Sequence, residues 1–172
     1  MMKKYIITLF IGLSSFYSFA QSCEPGERAL YKGLTEKKQV LICASPAKPP
    51  FQKIEYRFGT ADKVELTYTA DKSNGKKFYA SSEAISPRAS LSYMGFNNGD
   101  TTYVIAECYG AGICPQYSEL LIVAKGKKVI AKIRLTESNF SVDGVTDFGK
   151  SSDGLLEVKD FFQFDILKAF GV

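Results

Sequence analysis

The sequence predicts an all-β protein, mainly antiparallel sheet, whose meandering hairpins form a barrel or a sandwich, with one helix at the C-terminus. Two observations predict this fold class. Apolar and polar residues alternate with a period of two after residue 38, and turn residues interrupt the alternation at short spacings. The end of the chain departs from this pattern, because its apolar residues recur at three- or four-residue steps.

Residues 1–20 have the layout of a secretory signal peptide. Two lysines precede an apolar run over residues 5–13, which is shorter than the roughly 20 residues that span a bilayer. Small residues before the end of this segment predict cleavage after Ala20. The alternative, a lipid-modified Cys23, lacks the usual upstream aliphatic residue. We therefore expect a single disulfide-bonded β domain over residues 21–172, without stable membrane insertion after cleavage.

The body of the chain contains a compact apolar run and three predicted hairpins. The apolar run covers residues 39–43 and reads as a buried strand. In the second hairpin, Asn98 and Gly99 tolerate the positive φ angles that a tight turn needs. The paired segments are 54–58 with 64–68, 91–96 with 101–106, and 120–124 with 129–133.

The C-terminal segment is predicted to form a helix that packs on the sheet. Ser152 or Asp153 could cap its start, and Gly171 lies where a helix would end. The alternation of apolar residues after Phe161 also leaves a strand open for part of this segment. The helical steps run from Leu155 through Val158, Phe162, Ile166 and Phe170.

All four cysteines follow the predicted cleavage site. An even number of cysteines in an oxidising compartment predicts two disulfides. Of the three possible connectivities, the spacing favours Cys23 with Cys43 and Cys108 with Cys114. A zinc site fits poorly, because the sequence has neither a CxxC pair nor a histidine.

The absence of histidine from the chain excludes large classes of chemistry. Ser-His-Asp and Cys-His catalysis and His-ligated metal sites all need a side chain that this sequence lacks. We therefore expect no catalytic residue, no metal and no cofactor. The net charge falls from +4 to +2 without residues 1–20, and no basic tract predicts a nucleic-acid partner.

Two patterns of acidic residues are compatible with chemistry that needs no histidine. Paired carboxylates hydrolyse glycosidic bonds without histidine. The oxygen-rich residues 141–154 could bind calcium, but their spacing differs from that of an EF-hand, and Asp-Gly steps are common in turns. Asn139 begins a formal glycosylation acceptor that matters only in a eukaryotic secretory pathway. The alternative for the paired carboxylates is that they are solvent-facing strand and loop positions. The candidates for such a pair are Glu65, Glu107, Glu119, Asp143, Asp147 and Asp153.

One loop, residues 108–117, is a candidate partner-binding element, which we call the stapled loop. Its predicted disulfide and a proline would limit its motion, so that binding would cost little entropy. Tyr109, Ile113 and Tyr117 are residue types that serve as anchors at protein interfaces. The alternative is a structural connection between two strands, since disulfides in secreted domains are mainly structural.

The strand and turn strings of the chain also resemble a known group of proteins. Over residues 39–108 the sequence resembles a loose group of small, exported, mainly uncharacterised bacterial β proteins. The resemblance implies a shared β scaffold in the bacterial envelope and supplies no catalytic residue. The strings that carry it lie at 40–43, 56–59, 64–68, 95–100 and 103–105.

These observations together predict an exported binding protein, periplasmic or secreted, that is not an enzyme. The expected partner is another envelope or secreted protein, and an inhibitor or immunity protein against an envelope-targeting hydrolase is the leading hypothesis. The alternative is a small-molecule or lipid carrier that uses the interior of a β-barrel. A carboxylate-based hydrolase ranks third.

Overall fold

The chain folds into two mainly antiparallel sheets and one short helix. The computed structural model describes residues 22–110, 112–115, 118–136, 138, 154–159 and 161–172. Buried side chains of both sheets share one cluster, so the sheets pack face to face as a sandwich. The described strands form no closed barrel. The sequence left a barrel and a sandwich open, and the structure is a sandwich.

The first sheet contains four strands in chain order, each antiparallel to the next. The strands are β1 (Arg28–Leu34), β2 (Gln39–Ser45), β3 (Lys53–Gly59) and β4 (Val64–Asp71). The predicted apolar run is β2, and the first predicted hairpin is β3 with β4. Both predictions are confirmed.

The second sheet contains six strands in the order β10-β5-β6-β7-β8-β9. Its members are β5 (Phe78–Ser86), β6 (Ala89–Asn98), β7 (Thr101–Gly110), β8 (Ser118–Lys125), β9 (Lys128–Arg134) and β10 (Leu156–Val158). All neighbours are antiparallel except β10 and β5. The other two predicted hairpins are β6 with β7 and β8 with β9, and Gly99 turns the first with φ 62°.

An aromatic row holds the two sheets together. Tyr31, Ile42, Tyr56 and Tyr68 are successive cross-strand partners over the four strands of the first sheet. Phe96 of the second sheet stacks on Tyr68 with ring centroids 4.0 Å apart and meets Tyr56 edge-on at 4.9 Å. These side chains belong to what we call the inter-sheet core.

The C-terminal segment covers the opposite face of the second sheet and forms what we call the outer core. Phe161 stacks on Tyr79 with centroids 5.1 Å apart and lies over Gly95, the cross-strand partner of Tyr79. A Cβ atom at Gly95 would lie 2.8 Å from the Phe161 ring and 1.9 Å from the backbone oxygen of Tyr103. The close approach of Phe161 therefore requires glycine at this position.

The terminal helix α1 (Ile166–Phe170) is shorter than predicted. Leu156–Val158 pair with β5 as a strand, so the predicted helix does not extend back to Leu155. The cap is Asp165, which accepts hydrogen bonds from the N–H groups of Leu167 and Lys168, rather than Ser152 or Asp153, which lie outside the described residues. Gly171 ends the helix with φ 83°, as predicted.

Both disulfides that the spacing favoured are present. Cys23 pairs with Cys43 and Cys108 with Cys114, with Cα–Cα distances of 5.6 and 5.5 Å. Two disulfides fit an oxidising compartment. Among the described residues, we find no helix whose length and hydropathy would suit a membrane span.

Candidate functional site

A groove opens where the two sheets separate. Leu34 and Thr136 exchange two backbone hydrogen bonds of 2.9 and 2.7 Å, which join the edge of the first sheet to the chain just beyond β9. Beyond this bridge, the turn between β1 and β2 diverges from β9 and leaves a volume of about 770 Å³. This cationic groove is lined by Thr35, Glu36, Lys37, Lys38, Phe58, Lys132, Ile133, Arg134 and Thr136.

The cationic groove combines an apolar floor with a positive rim. Phe58 and Ile133 are half-buried and pack against the inter-sheet core. Lys38 has an acidic partner outside the lining, because its Nζ lies 2.6 Å from a carboxylate oxygen of Glu65. With Lys38 paired in this way, three other basic side chains border the groove against the single carboxylate of its lining, that of Glu36, and this charge balance favours an anionic ligand.

Two of these basic side chains, Lys132 and Arg134, also border a second hollow. This hollow has a volume of about 340 Å³ and includes Pro115 of the stapled loop and Phe170 of α1. Lys132 and Arg134 are exposed, and neither has an ion-pair partner within the described part of the chain. The edge strand β9 thus presents two cations without a described ion-pair partner between two hollows, the second of which also includes Glu119.

The structure separates the residues proposed for partner binding in the stapled loop. Tyr109 is 53% exposed at the end of β7. Ile113 is half-buried and packs against the outer core, so it contributes to the stability of the loop. Tyr117 lies outside the described residues. Of these two described residues, Tyr109 therefore has the side chain that is more accessible to a partner.

The predicted acidic candidates have different environments. Glu107 and Glu119 are direct cross-strand partners on β7 and β8, and we call them the carboxyl pair. Glu65 is distant from them in the fold, on β4 of the other sheet, and pairs with Lys38. The late-loop candidates Asp143, Asp147 and Asp153 lie outside the described residues.

The carboxyl pair lies at the end of the inter-sheet core, beside Tyr31. Glu119 is only 7% exposed, and it accepts hydrogen bonds from the hydroxyl groups of Tyr31 and Ser138. Burial raises the pKa of Glu119, although these two hydrogen bonds oppose the shift. Burial and the negative charge of Glu119 also raise the pKa of Glu107. The arrangement therefore favours the protonated form of both carboxyl groups.

Sequence reasoning missed Tyr31 and Ser138 as partners of the carboxyl pair. Tyr31 is 88 residues from Glu119 in the sequence, so no local spacing connects them. The Tyr-Lys-Gly order at residues 31–33 is the one local signal. A Cβ atom at Gly33 would lie 2.2 Å from the Tyr31 hydroxyl oxygen, so the glycine leaves room for the phenol ring.

One described cluster has the spacing of metal ligands but lacks their chemistry. Ligand atoms of Cys23, Glu27 and Cys43 lie within 4.8 Å of one another. The two sulfur atoms form a disulfide and offer no thiolate. Glu27 binds Lys53 at 2.8 Å and Arg57 at 3.2 Å, so its charge is already compensated.

The other sequence-predicted ligand and modification positions fall outside the described part of the chain. Of the calcium candidate segment, residues 141–154, Gly154 alone is described. The glycosylation acceptor Asn139 also lies outside the described residues.

The fold and the site define a disulfide-bonded β-sandwich with a cationic groove at its open edge. In the comparisons with known proteins, no family model, no curated protein and no solved structure matches the chain. The geometry and charge of the described residues therefore carry the functional argument.

Proposed function

We propose that the protein is an exported binding protein, acting in the periplasm or outside the cell, that binds another envelope or secreted protein through the cationic groove. It has no catalytic activity of its own in this proposal. Its specific form is an inhibitor or immunity protein that neutralises an envelope-targeting hydrolase. The predicted signal peptide over residues 1–20 and the two disulfides support export to an oxidising compartment.

One observation carries the proposal. Lys132 and Arg134 lie on an exposed edge strand between two hollows, and neither forms an ion pair with a described acidic side chain. Uncompensated charges at a concave surface attract a partner of opposite charge and accelerate its association. The half-buried Phe58 and Ile133 add apolar area that such a partner would cover. The partner surface that fits this groove is acidic at its rim and apolar at its centre.

The interior of the sandwich, as far as the described residues line it, gives the carrier alternative no support. Between the sheets, the gap lined by Ile42, Tyr56 and Phe96 is too small to hold a water molecule. A lipid or small-molecule carrier needs an enclosed volume of a few hundred Å³. The cationic groove has such a volume but is open along the sheet edge, as a protein-binding surface would be.

The test of the proposed function is capture by the intact protein. The chain is expressed with its own leader, purified from the envelope and used to capture proteins from envelope extract and medium. The groove variant Lys132→Glu/Arg134→Glu is compared with Lys127→Glu/Lys128→Glu, which reverses two exposed lysines at the β8–β9 turn. The partner should bind the wild type and the turn variant but bind the groove variant at least about ten-fold more weakly.

The captured partner is then purified and titrated at rising salt. Rising ionic strength should weaken wild-type binding, and the protein should inhibit the hydrolytic activity of the partner. Equal capture by the groove variant and the turn variant would refute the role of the groove. Binding without inhibition would support the proposal that the protein binds a partner and would refute the proposal that it is an inhibitor.

The carboxyl pair favours a second candidate, the carboxylate-based hydrolase. Glu107 and Glu119 are adjacent, and the burial that raises their pKa values is typical of carboxyl groups that act as general acids. The test is release of reducing ends from peptidoglycan by the purified protein. Activity of the wild type that is lost in Glu119→Gln would support the hydrolase hypothesis. An inactive wild type would refute it.

A further inference from the structure

We propose that the partner contributes an extended acidic segment that adds to the second sheet as a new strand along the outer edge of β9. This inference rests on the proposed function and specifies how the cationic groove recognises its partner. Two independent features of β9 support it, the direction of its backbone groups and the charges of its side chains.

The backbone of β9 has an unpaired edge beside the cationic groove. The N–H group of Leu135 donates to the backbone oxygen of Glu119, so residue 135 points toward β8. Backbone groups alternate in direction along a strand, and the register of Ile133 with Leu121 continues this alternation. The N–H and C=O groups of Lys132 and Arg134 therefore point away from β8, to the outside of the sheet.

Just beyond the C-terminal end of β9, the same edge already pairs with another strand, β1. Thr136, the next outward-facing residue, exchanges two backbone hydrogen bonds with Leu34 of β1. Beyond Leu34 the chain turns away into β2, and the cationic groove begins where this pairing stops. Within the described residues, the outward backbone groups of Lys132 and Arg134 have no strand partner. An incoming strand would continue the ladder that Leu34 begins.

The side chains of β9 specify the chemistry of the incoming strand. Lys132 and Arg134 are exposed, two residues apart, and lie on one face of the strand. Acidic side chains at alternate positions of a paired strand would lie opposite them. Ile133 lies on the other face, at the floor of the cationic groove, where an apolar side chain of the partner would pack. The expected segment therefore alternates acidic and apolar residues.

The experiment uses the full secreted protein and a capped synthetic peptide in which Glu and Val alternate. A peptide that alternates Lys and Val serves as the charge control, and the Glu-Val peptide with N-methylated backbone amides serves as the pairing control. Binding is measured by titration calorimetry, and protection of single amides by hydrogen exchange. The Glu-Val peptide should bind at least about ten-fold more tightly than either control and should protect the amides of Lys132 and Arg134.

A matched pair of variants separates backbone pairing from charge. Lys132→Ala and Lys132→Pro remove the same charge, but only the proline variant removes the outward N–H group. This N–H group is not used in pairing with β8, so the fold should tolerate proline at this edge position. Lys132→Pro should bind the Glu-Val peptide at least about ten-fold more weakly than Lys132→Ala. Amide protection in the wild type provides the second measurement if the proline variant does not fold.

The outcomes distinguish this inference from the proposed function. Unprotected amides of Lys132 and Arg134 in the complex with the captured partner would overturn strand addition, while charge-dependent capture would keep the groove as the binding site. If decyl sulfate protects the amides of Lys132 and Arg134 more strongly than the Glu-Val peptide does, strand addition by a peptide is refuted and a small amphiphilic anion is the ligand of this edge. Loss of charge-dependent capture would refute the proposed function itself.

Discussion

Glu107 and Glu119 lie directly opposite each other on β7 and β8, and their carboxyl groups share the sheet face that Tyr31 covers. Two like charges at such a position repel each other, and burial of Glu119 strengthens the effect. The hydroxyl groups of Tyr31 and Ser138 bind Glu119, whereas Glu107 has no hydrogen-bond partner among the described residues. Glu107 is therefore the member of the pair whose charge the fold compensates least.

Replacing Glu107 with glutamine should stabilise the protein increasingly as the pH rises. Both carboxyl groups have pKa values above the ordinary 4.5, so the folded protein binds more protons than the unfolded chain. The associated stability is present below pH 4.5 and is lost as the pH rises through the folded pKa. Glu107→Gln avoids part of this loss, and we expect a gain on the order of 0.5 kcal/mol at about pH 8 that disappears at about pH 4.

Urea unfolding of Glu107→Gln and wild type over this pH range measures the gain. Glu65→Gln is the matched control, because Glu65 is a strand glutamate that binds Lys38 at 2.6 Å. Loss of this ion pair in Glu65→Gln should destabilise the protein slightly rather than stabilise it. A Glu107→Gln variant that is less stable than wild type at about pH 8 would contradict the repulsion within the carboxyl pair.

Two tyrosines of the same cross-strand row should respond differently to loss of the hydroxyl group. Tyr31→Phe removes a donor from the buried carboxyl group of Glu119 and should cost about 1–3 kcal/mol. The Tyr56 hydroxyl is buried, and within the described structure it has no hydrogen-bond partner. Tyr56→Phe should therefore leave the free energy of unfolding unchanged or raise it. Equal losses for the two variants, measured by urea unfolding, would contradict the assigned contacts.

The sequence predicted the parts of the fold that depend on local pattern. The alternation of apolar residues and the Asn98-Gly99 turn predicted β6 and β7, and the same reasoning located β3 with β4 and β8 with β9. The short spacings within each cysteine pair predicted both disulfides. These features require only neighbours in the chain to come together, and single-sequence patterns report such neighbours directly.

The candidate sites depend on packing between distant segments, which local pattern does not reveal. The sequence presents Glu107 and Glu119 as separate acidic residues, and only the register of β7 on β8 aligns them. The cationic groove arises because β1 leaves the sheet edge after Leu34, 102 residues before Thr136 in the chain. The helix prediction extended too far because Leu156–Val158 pair with β5, a tertiary contact that overrides the helical spacing.

The cap of α1 should contribute measurably to the stability of the C-terminal segment. Asp165→Ala removes the acceptor for the N–H groups of Leu167 and Lys168 and should cost about 1 kcal/mol. Lys168→Ala is the control, because Lys168 is exposed and its 3.6 Å ion pair with Asp165 is on the surface. The control should change stability by less than about 0.5 kcal/mol. Thermal unfolding distinguishes the two, and equal effects would contradict the cap.

Removal of the two disulfides should destabilise the protein unequally. The bonded cysteines are separated by 20 residues in Cys23–Cys43 and by 6 residues in Cys108–Cys114. The larger ring restricts the unfolded chain more, so the double Cys→Ala variants should lose roughly 3 and roughly 2 kcal/mol.

Substitution of Ile113 tests whether chain entropy alone explains the stabilisation by the Cys108–Cys114 disulfide. This side chain packs against the outer core from within the stapled loop, so opening the ring should also loosen its packing. Ile113→Ala should therefore destabilise the wild type more than it destabilises the variant without Cys108–Cys114, as measured by urea unfolding. Equal effects in both backgrounds would show that the disulfide acts on the unfolded chain alone. In that case the stapled loop keeps its conformation without the bond, and Tyr109 would remain displayed to a partner after reduction.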